Sequence, residues 1–153
     1  MGGAPLMLNP FSVEIGDLDE DGDMDLVSTN WVSNNITIFF QTSPGSFEPD
    51  PSGPLTHADL GEFDAPQDVA IADLDRDGDM DLVSANIESE TLTIFFQVNP
   101  GQFAIDPRGP LLDLGSTTSP GTLTVADLDG DGDPDVVSAN EFSNTLTIFF
   151  GAH

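Results

Sequence analysis

Short runs of alternating apolar and polar residues follow one another along the chain, and clusters of acidic or turn-forming residues separate them. Alternation with a period of two predicts β-strands, because successive side chains of a strand point to opposite faces. No run has the period of a helix, so we predict an all-β chain. The predicted strands form four recurring sets: 12–16, 68–72 and 122–126; 25–29, 81–85 and 135–139; 36–41, 92–97 and 146–150; 54–60 and 110–114.

The third strand of each repeat is apolar on both faces. In its first copy, Ile36, Ile38 and Phe40 lie on one face. Phe39 lies on the other face. A strand with two apolar faces is expected to lie between two layers. The first strands instead carry small residues on one face, for example Gly16, which indicates crowding against a neighbouring layer.

The chain contains an internal repeat, which is the first feature to establish in such a sequence. The acidic block that begins at Asp17 recurs at Asp73 and Asp127, with offsets of 56 and 54 residues. The block Thr-Ile-Phe-Phe that begins at Thr37 recurs at the same two offsets. We predict a single domain with repeats at 10–65, 66–119 and 120–153, preceded by a spare outer strand at 4–9.

Four antiparallel strands in each repeat are typical of a β-propeller blade. Burial of both strand faces agrees with that fold, because each blade of a propeller packs between two others. A β-sandwich is the alternative, and it would bury only one face of each strand. We therefore predict three four-stranded antiparallel blades per chain.

An acidic loop lies between the first and second strands and reads Asp-x-Asp-x-Asp-Gly-Asp-x-Asp in every repeat. A solvated acidic surface requires no such register. Alternate residues of a tight loop can point inward together, and Ca²⁺ takes six to eight oxygen ligands at about 2.3–2.6 Å. The glycine at position 6 permits the backbone to fold over an ion. The loops predict one Ca²⁺ per repeat and three per chain; Mg²⁺ is less favoured, because it prefers near-ideal octahedra and retained waters.

The acidic side chains at positions 1, 3, 5 and 9 are the expected ligands, and position 7 is expected to offer its main-chain carbonyl. An EF-hand begins in a similar way, but it needs a bidentate Glu at position 12, where this chain has Ser28, Ser84 and Ser138. The candidate metal ligands are Asp17, Asp19, Asp21, Asp23, Asp25, Asp73, Asp75, Asp77, Asp79, Asp81, Asp127, Asp129, Asp131, Asp133 and Asp135.

This combination resembles the FG-GAP/VCBS-type calcium repeat, which is found in integrin α-subunit propellers and in many secreted bacterial proteins. The resemblance rests on the acidic motif at 17–25, 73–81 and 127–135 and on the Asp-Leu-Val-Ser-Ala-Asn stretch at 81–86. It covers essentially the whole chain. It implies a propeller fold and bound Ca²⁺, but it implies no particular partner or activity.

Composition excludes several classes of function. The formal charge is −26, and Arg76 and Arg108 are the only Lys or Arg residues, so we expect no binding of nucleic acid. No apolar run is long enough to insert into a membrane. There is no Cys, Lys or Tyr for nucleophilic or acid–base chemistry, and the paired carboxylates are already assigned to metal. His57 and His153 have no counterparts in the other repeats. We therefore predict that the protein is not an enzyme.

Three blades raise the question of ring closure, because propellers typically have about four to eight. The third repeat stops after its third strand, and residues 4–9 resemble a shortened fourth strand. We predict a homodimer in which two copies form a six-bladed ring. The alternative is that the chain is a piece of a larger propeller.

Two functional interpretations follow. The first is a non-catalytic scaffold in which Ca²⁺ holds the blade hairpins. The second is a carbohydrate-binding lectin or adhesion module, with glycans or an extracellular protein as partner. Trp31 lies in the loop between the second and third strands, where it either stacks on a sugar or anchors the blade edge, and we favour the anchor. Millimolar Ca²⁺ would saturate such sites most readily, so we expect an extracellular or periplasmic, secreted protein whose signal peptide lies outside this sequence.

Overall fold

The computed structural model describes residues 7–56, 65–108, 111–112 and 119–151, and the regular structure in these residues is entirely β. Among them, no helix is long and apolar enough to cross a membrane. The strands are β1 (Pro10–Gly16), β2 (Asp25–Asn30), β3 (Asn35–Ser43), β4 (Ser46–Pro49), β5 (Leu55–Thr56), β6 (Pro66–Ala72), β7 (Asp81–Asn86), β8 (Thr91–Asn99), β9 (Gln102–Ile105), β10 (Leu111–Leu112), β11 (Pro120–Ala126), β12 (Asp135–Asn140) and β13 (Thr145–Phe149).

The strands form three antiparallel sheets, one from each repeat. In the first sheet β1, β2, β3 and β4 follow in order, and β5 also pairs with β3. The middle sheet repeats this arrangement with β6, β7 and β8, and both β9 and β10 pair with β8. The third sheet has the order β11, β12, β13. The first three predicted strands of each repeat are confirmed to within two residues at each end.

Within the predicted fourth strands at 54–60 and 110–114, the described residues form the two-residue strands β5 and β10, which pair with β3 and β8; the prediction missed the strands β4 and β9. The strand partner of β3 begins directly after a tight turn at Gly45, whose φ is +78°, and is β4. The chain then turns at Asp50, whose carboxylate accepts a hydrogen bond from the Ser52 amide. It returns to the same edge of β3 at β5, whose two residues pair with Asn35 and Ile36. The predicted segments 57–60, 110 and 113–114 lie outside the described residues.

Two apolar cores separate the three sheets. Burial of one large aliphatic or aromatic side chain contributes about 1.5–3 kcal/mol, so these cores account for much of the stacking energy. The first core, between the first and middle sheets, contains Leu18, Val27, Ile36, Ile38, Val69, Leu82 and Phe95. The second core, between the middle and third sheets, contains Val83, Ala85, Leu92, Ile94 and Val136.

Burial on both strand faces is confirmed for the middle sheet, where β8 is buried from Thr91 to Phe95. In the third sheet β13 has exposed apolar residues, because only one of its faces contacts another sheet. Crowding at the small residues is also confirmed. A Cβ added to Gly16 would lie 3.1 Å from the Cδ1 atom of Ile71, so the first and middle sheets are in close contact there.

A buried asparagine joins the second and third strands of each repeat near their connecting turn. In the middle sheet, the Asn86 amide donates to the hydroxyls of Thr91 and Thr93 and accepts from the hydroxyl of Ser84. Equivalent bonds surround Asn30 and Asn140. Buried polar groups of this kind specify strand register, because any shift would leave them unpaired.

The N-terminal segment 4–9 is described only from residue 7 onward. Residues 7–9 form no strand. The main-chain carbonyls of Asn9 and Leu8 accept hydrogen bonds from the amides of Trp31 and Val32. This part of the segment therefore lies beside the β2–β3 turn of its own chain, and its predicted role as an outer strand remains a prediction.

Candidate metal centres

Each acidic loop connects the first two strands of a sheet, so its ends are held by paired strands. The first loop begins at Asp17, directly after β1, and ends at Asp25, the first residue of β2. The glycines at position 6 have φ values of +91°, +105° and +93°, a region that side chains disfavour. These glycines allow the loop to reverse direction within nine residues.

The carboxylates at positions 1, 3 and 9 come together in every loop. In each group, one oxygen from every residue lies within 4.8 Å of the others, which is close enough for a single ion to contact all three. The groups are Asp17, Asp19 and Asp25; Asp73, Asp75 and Asp81; and Asp127, Asp129 and Asp135. The sequence-predicted ligands at positions 1, 3 and 9 are therefore neighbours in space.

Hydrogen bonds from the loop backbone fix the carboxylates at positions 1, 3 and 5. In the first loop, the amide of Gly22 donates to Oδ2 of Asp17 at 3.1 Å. The amides of Asp21 and Asp23 donate to the carboxylates of Asp19 and Asp21. The second and third loops have the same bonds at the same positions. The loop backbone therefore orients these side chains without a bound ion.

The carboxylate at position 9 also joins the loop to the third strand, a role that the sequence reasoning missed. Oδ2 of Asp25 accepts from the amide of Leu18, and Oδ1 accepts from the amide of Gln41, both at 2.8 Å. Asp81 and Asp135 make the same pair of bonds. The signal in the sequence was the constant spacing of 16 residues between the aspartate and the end of the third strand.

Burial and neighbouring negative charges raise the pKa values of carboxylates in these groups. Burial raises the pKa of Asp81 to about 6, and the negative charges of Asp75 and Asp77 add to the rise. Burial also raises the pKa of Asp19, and the nearby charge of Asp25 raises it further. Carboxylates that resist ionisation beside one another are stabilised by a shared cation.

Two buried oxygen atoms test whether these groups fit a metal ion. Oδ1 of Asp17 and Oδ1 of Asp73 are buried and have no hydrogen-bond partner. A buried carboxylate oxygen without a partner is costly, and an ion at the centre of the group would satisfy it. The third loop differs, because Oδ1 of Asp127 accepts from the amide of Gly130 and Asp127 is exposed. The first two groups therefore fit a cation better than the third.

Positions 5 and 7 lie outside the three-carboxylate groups. At position 7 of the third loop, Asp133 forms an ion pair of 2.7 Å with Arg76 of the second loop. Its side chain is directed toward the neighbouring repeat, and the expected contact of the position 7 main-chain oxygen with an ion stays a prediction. The remaining residues at these positions are Asp21, Asp23, Asp77, Asp79 and Asp131.

Trp31 lies at the opposite end of the sheets from the acidic loops. Its ring meets the ring of Phe11 edge to face, with centroids 6.4 Å apart. Trp31 also lines a cavity of about 350 Å³ together with Phe142, Glu88 and Glu141. Trp31 thus packs on its own sheet and also lines a cavity to which residues of the second and third repeats contribute.

The sequence matches the family described as FG-GAP-like repeat in two overlapping segments, residues 17–84 and 73–138. Each segment runs from the start of one acidic loop to the second strand of the next repeat. This chain belongs to the FG-GAP-like repeat family. The two matches contain all three acidic loops of the FG-GAP-like chain in full. No curated protein matches the chain.

Proposed function

We propose that this FG-GAP-like chain is a non-catalytic, calcium-binding scaffold in which one Ca²⁺ per loop holds each blade hairpin together. The observation that supports it most strongly is the unpartnered, buried Oδ1 atom of Asp17 and of Asp73 inside a group of three carboxylates. An acidic cluster alone could be a solvated surface. A buried oxygen that lacks a donor calls for a cation.

The chemistry of the donors favours Ca²⁺ over other metals. Every candidate ligand is a carboxylate or a main-chain oxygen, which hard cations prefer, and among the described residues the groups contain no His or Cys. Ca²⁺ accepts an irregular set of oxygen ligands such as a tight loop provides, whereas Mg²⁺ prefers a near-ideal octahedron and retained waters. Asp17, Asp19 and Asp25 would hold the ion in the first loop, and the equivalent residues would do so in the others. The ion would supply positive charge that offsets carboxylate repulsion.

The same residues suggest a mechanical role. Position 9 is tied to the third strand through Gln41 in the first sheet and through Gln97 in the middle sheet. An ion held by positions 1, 3 and 9 would therefore link the first, second and third strands of a sheet. We propose that the sheets are propeller blades and that the protein acts outside the cytoplasm, where Ca²⁺ reaches millimolar concentration.

Calcium titration tests this function. We expect isothermal titration to give three Ca²⁺ per chain, with the third site weakest because Asp127 is exposed, and with Mg²⁺ binding more weakly at every site. Saturation at 100 times the dissociation constant stabilises a protein by about 2.7 kcal/mol per site. The melting temperature should therefore fall in EGTA and recover with Ca²⁺. Absence of Ca²⁺ binding, or a melting temperature unaffected by EGTA, would refute the proposal.

A second candidate function is carbohydrate binding at the hollow beside Trp31. The favouring observation is that Trp31 and Phe142 line one cavity with two carboxylates, Glu88 and Glu141. Aromatic rings stack on the apolar faces of sugars, and carboxylates accept hydrogen bonds from sugar hydroxyls. A glycan array with wild type and Trp31→Ala tests it. Binding that disappears in the variant supports the candidate, and an array without hits rejects it.

A further inference from the structure

Two large apolar surfaces lie on opposite sides of the stack of sheets. We call the exposed side of the first sheet the front face; its central residues, Val13 and Ile15, are 59% and 62% exposed. We call the exposed side of the third sheet the back face; Leu146 and Ile148 there are 69% and 45% exposed, and Phe150 adds an exposed ring. Exposed apolar patches of this kind mark interaction surfaces.

Both faces have buried equivalents inside the same chain. Val69 and Ile71 of the middle sheet occupy the repeat positions of Val13 and Ile15, and they pack against the first sheet. On the other side, Ile36 and Ile38 of the first sheet occupy the positions of Leu146 and Ile148. They are fully buried against the middle sheet. Inside the chain, the repeat positions of the front face pack against the repeat positions of the back face. The exposed front face and the exposed back face are therefore complementary to each other.

A main-chain hydrogen bond at the edge of the contact between two sheets shows the same relationship. Between the first and middle sheets, the amide of Gly101 donates to the carbonyl of Leu18 at 2.9 Å, and Leu18 is fully buried. The equivalents of these residues are Gly45, at the rim of the front face, and Leu128, at the rim of the back face. Leu128 is 50% exposed. A Cβ on Gly101 would lie 2.9 Å from the Phe40 ring, whereas nothing lies within 4 Å at Gly45.

We propose that the front face of one chain packs on the back face of a second copy, with the geometry that already joins neighbouring sheets within the chain. Two chains related by a twofold axis would make this contact twice and form a closed stack of six sheets. The proposal adds a partner to the blade scaffold proposed above and rests on its blade architecture. A closed assembly covers both apolar faces, whereas open-ended stacking would leave one exposed at each end.

Charge at the loops is compatible with this contact. Position 4 of one loop meets position 7 of the next: Arg76 pairs with Asp133. By the same register, Gly130 of one copy would meet Asp23 of the second, so no like-charged pair forms there. The high negative charge of each chain still opposes association, so the dimer should tighten with salt or Ca²⁺.

Sedimentation and light scattering give the first test. In Ca²⁺ and about 0.15 M salt, we expect a particle of twice 16.2 kDa. Val13→Asp on the front face and Ile148→Asp on the back face should each abolish the dimer, because a charge would be buried in the contact. Val98→Asp is the matched control, since Val98 is exposed on the middle sheet and belongs to neither face. Its mass should equal that of wild type.

Mixing the two variants tests the front-to-back geometry itself. In each variant alone, both contacts of the dimer contain one Asp. In the mixed pair, both Asp residues fall in one contact, and the other joins an unaltered front face to an unaltered back face. The mixture should therefore recover the dimeric mass that each variant lacks.

Several outcomes would overturn the proposal. They are a wild-type mass of one chain, a mass of three or more chains, a dimer that survives Ile148→Asp, and a mixture that stays monomeric. Circular dichroism of each variant checks that the sheets are intact, which is expected because both substituted side chains are exposed. Calcium stoichiometry, measured on the same samples, separates a failure of this contact from a failure of the metal proposal.

Discussion

Arg76 and Asp133 connect the second and third acidic loops through an ion pair of 2.7 Å, in which the aspartate is almost fully buried. The equivalent positions of the first and second loops are occupied by Glu20 and Asp79. There, the hydrogen bond with Asp79 raises the pKa of Glu20, and the charge of Asp79 raises it further. One contact between sheets thus joins opposite charges, and its counterpart brings two acids together.

Glu20→Arg should therefore stabilise the protein, because it would convert the repulsive contact into the type made by Arg76 and Asp133. We expect a higher melting temperature, most clearly in EGTA and low salt, where screening is weakest. Glu48→Arg is the control, since it makes the same change in net charge at an exposed residue of β4 that belongs to none of the acidic loops. An equal rise in both variants would mean that net charge, and not the local pair, is responsible.

Asp73→Asn should remove one of the three proposed calcium sites. The amide keeps the size of the side chain and one oxygen, but the site loses a negative charge at the carboxylate whose Oδ1 is unpartnered. We expect the stoichiometry from calorimetric titration to fall from three to two per chain. Asp79→Asn is the matched control at position 7, whose side chain lies outside the carboxylate group, and it should still bind three. Loss of a site in Asp79→Asn alone would contradict the assignment.

Asn86→Ala should destabilise the middle sheet. The substitution removes the amide donor that the buried hydroxyls of Thr91 and Thr93 share, and the loss of each such hydrogen bond costs about 0.5–1.5 kcal/mol. The free energy of unfolding from urea titration measures the loss. Asn140→Ala removes the same bonds in the third sheet, where Thr145 is exposed and can bind water instead. It should cost less, and equal losses would argue against burial as the cause.

Arg108→Ala should destabilise the protein at neutral pH but not in acid. Burial raises the pKa of Asp106, but hydrogen bonds from the Arg108 side chain and amide, together with its charge, outweigh burial and lower it. A carboxylate with a lowered pKa in the folded state contributes stability above its unfolded pKa of 3.8, and this is lost as pH falls. A hydrogen bond to a charged group contributes about 1.5–3 kcal/mol.

The measurement for this variant is urea unfolding at pH 7 and below pH 4. The difference between wild type and Arg108→Ala should shrink in acid, where Asp106 becomes protonated. Arg108→Lys is the matched variant, because it keeps the charge but loses the paired donors that contact both oxygens of Asp106. Its stability should fall between the other two. A pH-independent difference would show that lost packing, and not charge, is responsible.

Much of the local structure could be predicted from the sequence. The first three strands of each repeat follow from alternation, and the acidic loops follow from their spacing, because both depend on residues near one another in the chain. The sequence reasoning missed β4 because this strand is short and polar and carries little alternation of its own. Its pairing with β3 is set by the turn at Gly45, which a hydrophobic pattern does not register.

The sequence alone determined the threefold repeat, the all-β class and the groups of aspartates, since each is written in residue order. Tertiary structure decided which carboxylates meet, because only folding brings positions 1, 3 and 9 within reach and leaves Oδ1 of Asp17 buried without a partner. It also decided that Asp25 joins its loop to β3 and that Arg76 reaches Asp133. The contacts of Asp25 depend on the pairing of strands within one sheet, and the contact between Arg76 and Asp133 depends on the stacking of two sheets, which no single repeat encodes.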